Sequence, residues 1–251
     1  MRKYGLFALV CLVVLLAVPA SAQTLSLDMG QEVGGSTMGR ILQLVALLTV
    51  LSLAPSLLMM VTSFTRIIVV LSLLRSALGI QQTPPNPVLV GLALFLTAFI
   101  MAPVFQQAYD QGVVPLMEEK ISEKEAYTRI TQPFHTFMMA HVREKDLGLF
   151  MELSQSKVEK PQDTPMQALI PAFMISELKR SFEIGFLVFI PFLIIDMMVA
   201  STLMSMGMMM LPPVLISLPF KLIFFVLVDG WYMLCGSLVR SFDLAPAVLP
   251  H

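Results

Sequence analysis

Met204-Ser-Met-Gly-Met-Met-Met-Leu-Pro-Pro213 decides how this chain is read, because it closes two long apolar segments against each other. Seven of the 20 methionines fall between Met197 and Met210. Methionine is unbranched and polarizable, so such a tip sheds water, adapts to neighbours of varying shape and offers no reactive group. The flanking segments, residues 184–203 and 214–235, are each about 20 residues, the length that crosses a bilayer as a helix. Each carries one buried-looking charge, Asp196 and Lys221. The midpoint between positions 196 and 221 falls between Met208 and Met209, so a hairpin turning there brings both to one depth. At a rise of about 1.5 Å per residue that depth is about 18 Å below the tip. A lone charge inside a span costs at least about 2.5 kcal/mol, which favours an ion pair, within one copy or between two. Asp229, beside Gly230-Trp231, reads as a polar anchor next to an interfacial tryptophan.

The rest of the composition agrees. Hydrophobic residues make up 57% of the 251 and charged ones 13%, with a mean hydropathy of +0.81. A soluble domain needs more charge on its surface than this. The expected fold class is an all-α integral membrane protein. Net charge is −1 and no basic patch occurs, which excludes nucleic acid as a partner. Residues 1–22 carry Arg2 and Lys3, a short apolar run and Pro-Ala-Ser-Ala, the order of a secretory signal, with cleavage expected between Ala22 and Gln23. Cleavage removes Cys11 and leaves Cys235 as a small core residue with no disulfide partner.

Beyond the signal, the chain divides into a mature N-terminal segment 23–40, apolar helices 41–108, an exposed helical domain 109–183, the apolar hairpin 184–240 with its methionine loop 204–213, and a tail 241–251. Two more spans are expected at 41–61 and 88–108; residues 67–74 are too short to cross and are expected as a buried or interfacial continuation. Prolines 55, 103, 191 and 219 fall inside the apolar runs and free carbonyls that neighbouring helices must satisfy. The link 62–87 carries Arg66 and Arg75 and no acid, which assigns it to the cytoplasm and the 109–183 domain to the periplasm. That domain holds nine of the 16 Lys and Arg and 12 of the 17 acids.

Within it, Phe134, Phe137, Met138 and Val142 share a helix face after Pro133. Thr164-Pro165-Met166-Gln167 has capping-box spacing with proline in the first turn. Ile175, Leu178 and Phe182 then make an apolar stripe. Glu177 with Arg180 and Lys179 with Glu183 are helix-spaced pairs, read as a solvated face or, with Phe137 and Phe150, as partner contacts. Residues 154–163 read as a linker. His135 and His141 stand six apart, off the spacing that holds a metal, and are expected on polar faces. No phosphate loop or nucleophile context occurs, so an enzyme, a metal site and a cofactor are not expected.

Several long motifs are familiar as a set. Phe64-Thr-Arg-Ile-Ile-Val-Val-Leu71, Gln81-Gln-Thr-Pro-Pro-Asn-Pro87, Gly91-Leu-Ala-Leu-Phe-Leu-Thr97, Ile175-Ser-Glu-Leu-Lys179, Phe189-Ile-Pro-Phe-Leu193, the methionine run itself, Pro219-Phe-Lys221 and Val228-Asp-Gly-Trp231 resemble the flagellar FliP family over nearly all of residues 40–240. Pro87 stands where that pattern has glutamine, which stiffens the loop. The resemblance implies a core subunit of the type III protein export gate in the bacterial inner membrane and flagellar basal body. It further implies a homopentamer packed in a ring with FliQ, FliR and other export components, passing unfolded flagellar proteins. The methionine loop would then form a pore gasket of Met204, Met206, Met208, Met209 and Met210. It also implies that the assembled gate sits largely above the bilayer plane, so that the span count describes insertion. A proton or ion channel using Asp196 as a relay, and a scaffold with no lumen, are the alternatives.

Overall fold

A computed structural model describes residues 37–80, 82–154, 163–208 and 212–243. The signal segment with Ala22 and Gln23, most of the linker, and Met209 and Met210 lie outside the described residues. All secondary structure in the described residues is helical. Helix α1 (Thr37–Met60) starts in a first unit that ends at Thr49; everything from Val50 onward belongs to a second unit, and the contacts below are its own.

In that unit α2 (Phe64–Leu78) is the centre. Ile67, Val70, Leu71 and Leu74 recur at three- and four-residue spacing and are essentially inaccessible, each contributing about 1.5–3 kcal/mol by leaving water. The segment read as too short to cross is therefore the spine against which the later apolar helices of this unit pack. α3 (Asn86–Ala108) begins with Pro87 in its first turn, where a missing N–H costs nothing, and contains Pro103. It runs on through a π-helical turn, Tyr109–Val113, and a short turn, Val114–Met117.

Next come α4 (Glu123–His141) and α5 (Glu144–Leu153). α4 starts ten residues before the expected position, with Pro133 inside it. Its start is set by Ser122, whose side chain accepts from the Glu125 N–H at 3.3 Å, the N-cap bond of a Ser-x-x-Glu sequence whose glutamate pairs with Arg129. α6 (Met166–Ser205) is one uninterrupted helix of 40 residues, so the 183/184 boundary falls within it. Pro165, extended at ψ 138°, is its N-cap residue, one position later than the capping-box spacing places it. α7 (Pro213–Leu227) and α8 (Gly230–Asp243) complete the chain.

Three helical runs, Leu42–Met60, Asn86–Met117 and Met166–Ser205, are long and apolar enough to cross a membrane, and α7 with α8 is a fourth candidate bent by 62°. These match the four expected spans, but the last is broken at Asp229, which has a left-handed φ of 50°. Asp229 is thus the pivot of a bend.

α2 and α6 run parallel. Thr65 donates to the Met174 thioether at 3.8 Å, Arg66 meets Glu177, and Leu73 lies against Gly185. The face of α6 turned inward is Ala168, Leu169, Ala172, Phe173, Ser176, Glu177, Ser181 and Gly185. The apolar stripe Ile175, Leu178 and Phe182 points out, continued by Phe186, Leu193 and Met197. An outward apolar stripe on a helix that also buries Ser176, Glu177 and Ser181 departs from the soluble pattern; beyond the exposed Lys179 and Glu183 the outward face is mainly apolar and suits an apolar surrounding.

Gly185 permits the α2–α6 approach, since an added Cβ would lie 2.2 Å from Leu73 Cδ1 and 3.2 Å from Leu73 Cβ. Gly185→Val should destabilise the detergent-solubilised protein by about 1–3 kcal/mol. Gly91→Ala, where nothing lies within 4 Å, should leave the thermal midpoint unchanged or slightly raised.

Candidate functional site

The methionine turn is built by backbone geometry. At the end of α6, Gly207 takes φ 74°, a conformation in which a Cβ is strained. Its N–H donates to Met204 O at 3.1 Å, and the Met208 N–H donates to Leu203 O at 3.0 Å. Together these are a Schellman closure, which satisfies carbonyls that the ending helix leaves open. Pro212 and Pro213 then open α7. Met204, Met206 and Met208 all stand exposed on this turn.

Below it, Asp196 and Lys221 meet within one chain at 2.6 Å. The pair is not isolated. Ser217 Oγ donates to the other carboxylate oxygen of Asp196, and Lys221 Nζ also donates to Ala77 O at 3.1 Å. Ala77 lies in the last turn of α2, where carbonyls lack intrahelical partners and the helix dipole favours a cation. One ammonium therefore ties the end of α2 to both arms of the hairpin.

At the other end of α2 lies the most buried charge in the described residues. Arg66 and Glu177 are 1% and 0% exposed and bonded twice, Nε to Oε2 at 2.7 Å and Nη2 to Oε1. The remaining donor, Nη1, reaches Ser241 Oγ at 2.9 Å and Ser241 O at 3.3 Å. The guanidinium sits 3.7 Å from the centre of the Phe242 ring, a cation–π contact that replaces part of the lost hydration. Bidentate pairing, with a partner at each of the three guanidinium nitrogens, is what makes a buried arginine tolerable.

This revises two expectations. Glu177 does not face solvent beside Arg180; it is buried against Arg66. Arg66, counted with Arg75 as a loop charge, is a core residue, so the positive-inside argument for the 62–87 link rests on Arg75, which donates to Asn86 Oδ1 at 2.6 Å. Lys179 and Glu183 do form an exposed pair at 3.5 Å. Phe137 packs within the chain, edge-on to Phe173 and stacked on Phe242. Phe150 is half-buried on α5.

Both histidines, expected on polar faces, are buried, because α4 turns His135, Met138 and His141 to one side. His135 Nε2 lies 2.9 Å from Thr164 O. His141 Nδ1 faces Phe137 O at 2.8 Å and Nε2 faces Phe242 O at 3.3 Å. Burial pushes the His141 imidazole down from its ordinary range, and the Arg66 charge adds to this against the opposing carbonyl bonds and Glu177. Nearby, burial raises the Asp146 carboxyl, but bonds from Ser176 and Arg143 outweigh it and hold it below the usual carboxylate range. Among the described residues no group of three or more His, Cys, Asp or Glu side chains could hold a metal.

The sequence reading found the Asp196–Lys221 charges and missed the Arg66–Glu177 cluster. Part of the signal was present: Arg66 stands near the start of the apolar run Phe64–Leu78, nine positions from Arg75, the other cation in that run, and is flanked by apolar residues much as Lys221 is. Ser217, Ser241 and Phe242 carry no local signal, since each acts through a partner distant in sequence.

Glu177→Ala should cost about 3–5 kcal/mol, read as a lowered thermal midpoint, because it strands Arg66 in the core; Arg66→Leu with Glu177→Leu should recover most of that loss. For His141 the folded pKa lies below the unfolded one, so its contribution is present above about 6.5 and lost as pH falls. The thermal midpoint should drop between about pH 7.5 and about pH 5.5, and drop less in His141→Gln.

Comparison with known proteins places this geometry in context. The model of the FliP family matches residues 47–238. The flagellar biosynthetic protein FliP of Caulobacter vibrioides is 54% identical over 247 residues, 97% of this chain and 92% of that protein. That of Bacillus subtilis is 58% identical over 203 residues, 80% and 91% of the two chains. That of Agrobacterium fabrum is 49% identical over 241 residues, covering 94% and 98%.

Proposed function

Because the chain belongs to the FliP family, and is thus a component of the flagellar export apparatus, we propose that it is a pore-forming core subunit of the type III export gate. In this reading several copies, a pentamer by resemblance, gather with FliQ and FliR in the bacterial inner membrane. Unfolded flagellar proteins pass along the shared axis, and the 109–183 region faces the periplasm.

The observation that carries the reading is the methionine turn. Gly207 closes α6 and the two prolines open α7, while Met204, Met206 and Met208 stand exposed without covering the chain's own core. Side chains with three rotatable bonds and no charge can close on one another at rest and deform around an extended polypeptide, without holding it. Met209 and Met210 extend the same chemistry. The outward stripe on α6 supplies apolar surface for neighbouring subunits or lipid.

Asp196 is placed better as a structural anchor than as a proton relay. It is engaged by Lys221 and Ser217 together, and Lys221 is in turn committed to Ala77 O. Changing its charge would release the end of α2.

Replacing Met208, Met209 and Met210 together with alanine should raise ion leakage through vesicles holding the purified oligomer, with assembly unchanged. Unaltered permeability in an intact oligomer would count against the gasket.

A further inference from the structure

Exposure varies widely among the described methionines: Met117, Met197, Met198 and Met233 stand exposed on helices at 74%, 65%, 61% and 62%, and the hairpin tip gathers three exposed ones on a single turn. Met101 and Met138 are 0% exposed, whereas Met204, Met206 and Met208 are 58%, 67% and 42% exposed on one turn. Oxidation of a thioether follows access by the oxidant, and converts a flexible apolar side chain into a polar one. The bonds that shape the turn are backbone bonds, Gly207 N–H to Met204 O and Met208 N–H to Leu203 O. No sulfur takes part in them. Oxidation can therefore change the polarity of the tip while the hairpin keeps its shape.

We propose that the Met204–Met206–Met208 turn is a peroxide-sensitive modification site whose oxidation unseals the passage. The consequence for sealing rests on the gate reading above; the modification itself does not. A sulfur lone pair attacks one peroxide oxygen, the S–O bond forms and the O–O bond breaks. The thioether loses two electrons, the peroxide gains them, and the proton of the attacked oxygen moves to the departing one, which leaves as water. The new sulfoxide oxygen is a strong acceptor, and in an apolar ring an unpaired acceptor is costly unless water enters with it. A ring of sulfoxides is wet where a ring of thioethers is dry. A thiol-dependent sulfoxide reductase reverses the change.

The test uses the purified full-length oligomer with its small partners in vesicles, treated with hydrogen peroxide. Peptide mass mapping should show oxygen added at Met204, Met206 and Met208 about tenfold faster than at Met101 and Met138. Ion leakage should rise severalfold in step and return to baseline with sulfoxide reductase and thiol. Leucine at positions 204, 206, 208, 209 and 210, an apolar replacement of similar volume, should make leakage insensitive to peroxide. Equal oxidation of exposed and buried methionines would overturn the site. Selective oxidation with unchanged leakage would overturn its role; if the alanine replacements at 208–210 do leak, the gate reading survives that result, and if they do not, both fall.

Discussion

Everything in this protein hangs on a short helix whose two ends are fixed by charges taken out of water. Arg66 enters the core with Glu177, Ser241 and the face of Phe242. Eleven positions later Ala77 O receives Lys221, which is itself neutralised by Asp196. Between them run the apolar rungs Ile67, Val70, Leu71 and Leu74. Apolar side chains can repack against one another at modest cost, so packing constrains the register of a short helix on α6 less sharply. Buried ion pairs constrain it more: a shift of one turn separates the partners and strands Arg66, Glu177 and Lys221 in a medium that does not hydrate them. The charges thus set register, and the apolar rungs supply adhesion. Arg66 connects α2 to α6 and α8; Lys221 connects α2 to α6 and α7. The remaining exposed apolar surface is free to meet an external apolar phase or other subunits.

That arrangement makes the hairpin tip functionally separable from its base. The lower part of α6 and α7 is held by Asp196, Ser217 and Lys221, while the last turns of α6 carry exposed methionines and end in a closure made only of main-chain bonds. A rigid stem under a compliant, uncharged tip suits a seal that must open for extended chains of differing sequence and close again without binding them.

Much of this was legible in the residues. Four apolar spans, the methionine turn and the facing charges at 196 and 221 follow from hydropathy, length and the symmetry of positions about the turn. Other features were hidden for physical reasons. The direction of the Ile175, Leu178 and Phe182 stripe could not be read, since in a membrane protein the same pattern can face lipid, a neighbour or the core. His135 and His141 look polar in isolation, yet carbonyls from Thr164 and Phe242, distant in sequence, make their burial affordable. Glu177 has Arg180 at helix spacing, and only the fold reveals that Arg66, 111 positions away, wins it. The N-cap signal at Ser122 and Glu125 was local and passed over, as was the charge of Arg66 among apolar neighbours.

The most direct measurement is density for the purified oligomer together with its two small partners, at a resolution that traces the end of α6. The account predicts the Met204–Met208 turns of several copies gathered around one enclosed passage, with the Asp196–Lys221 pair intact inside each copy. Turns facing lipid or bulk solvent, with no part of this chain lining a passage, would contradict it.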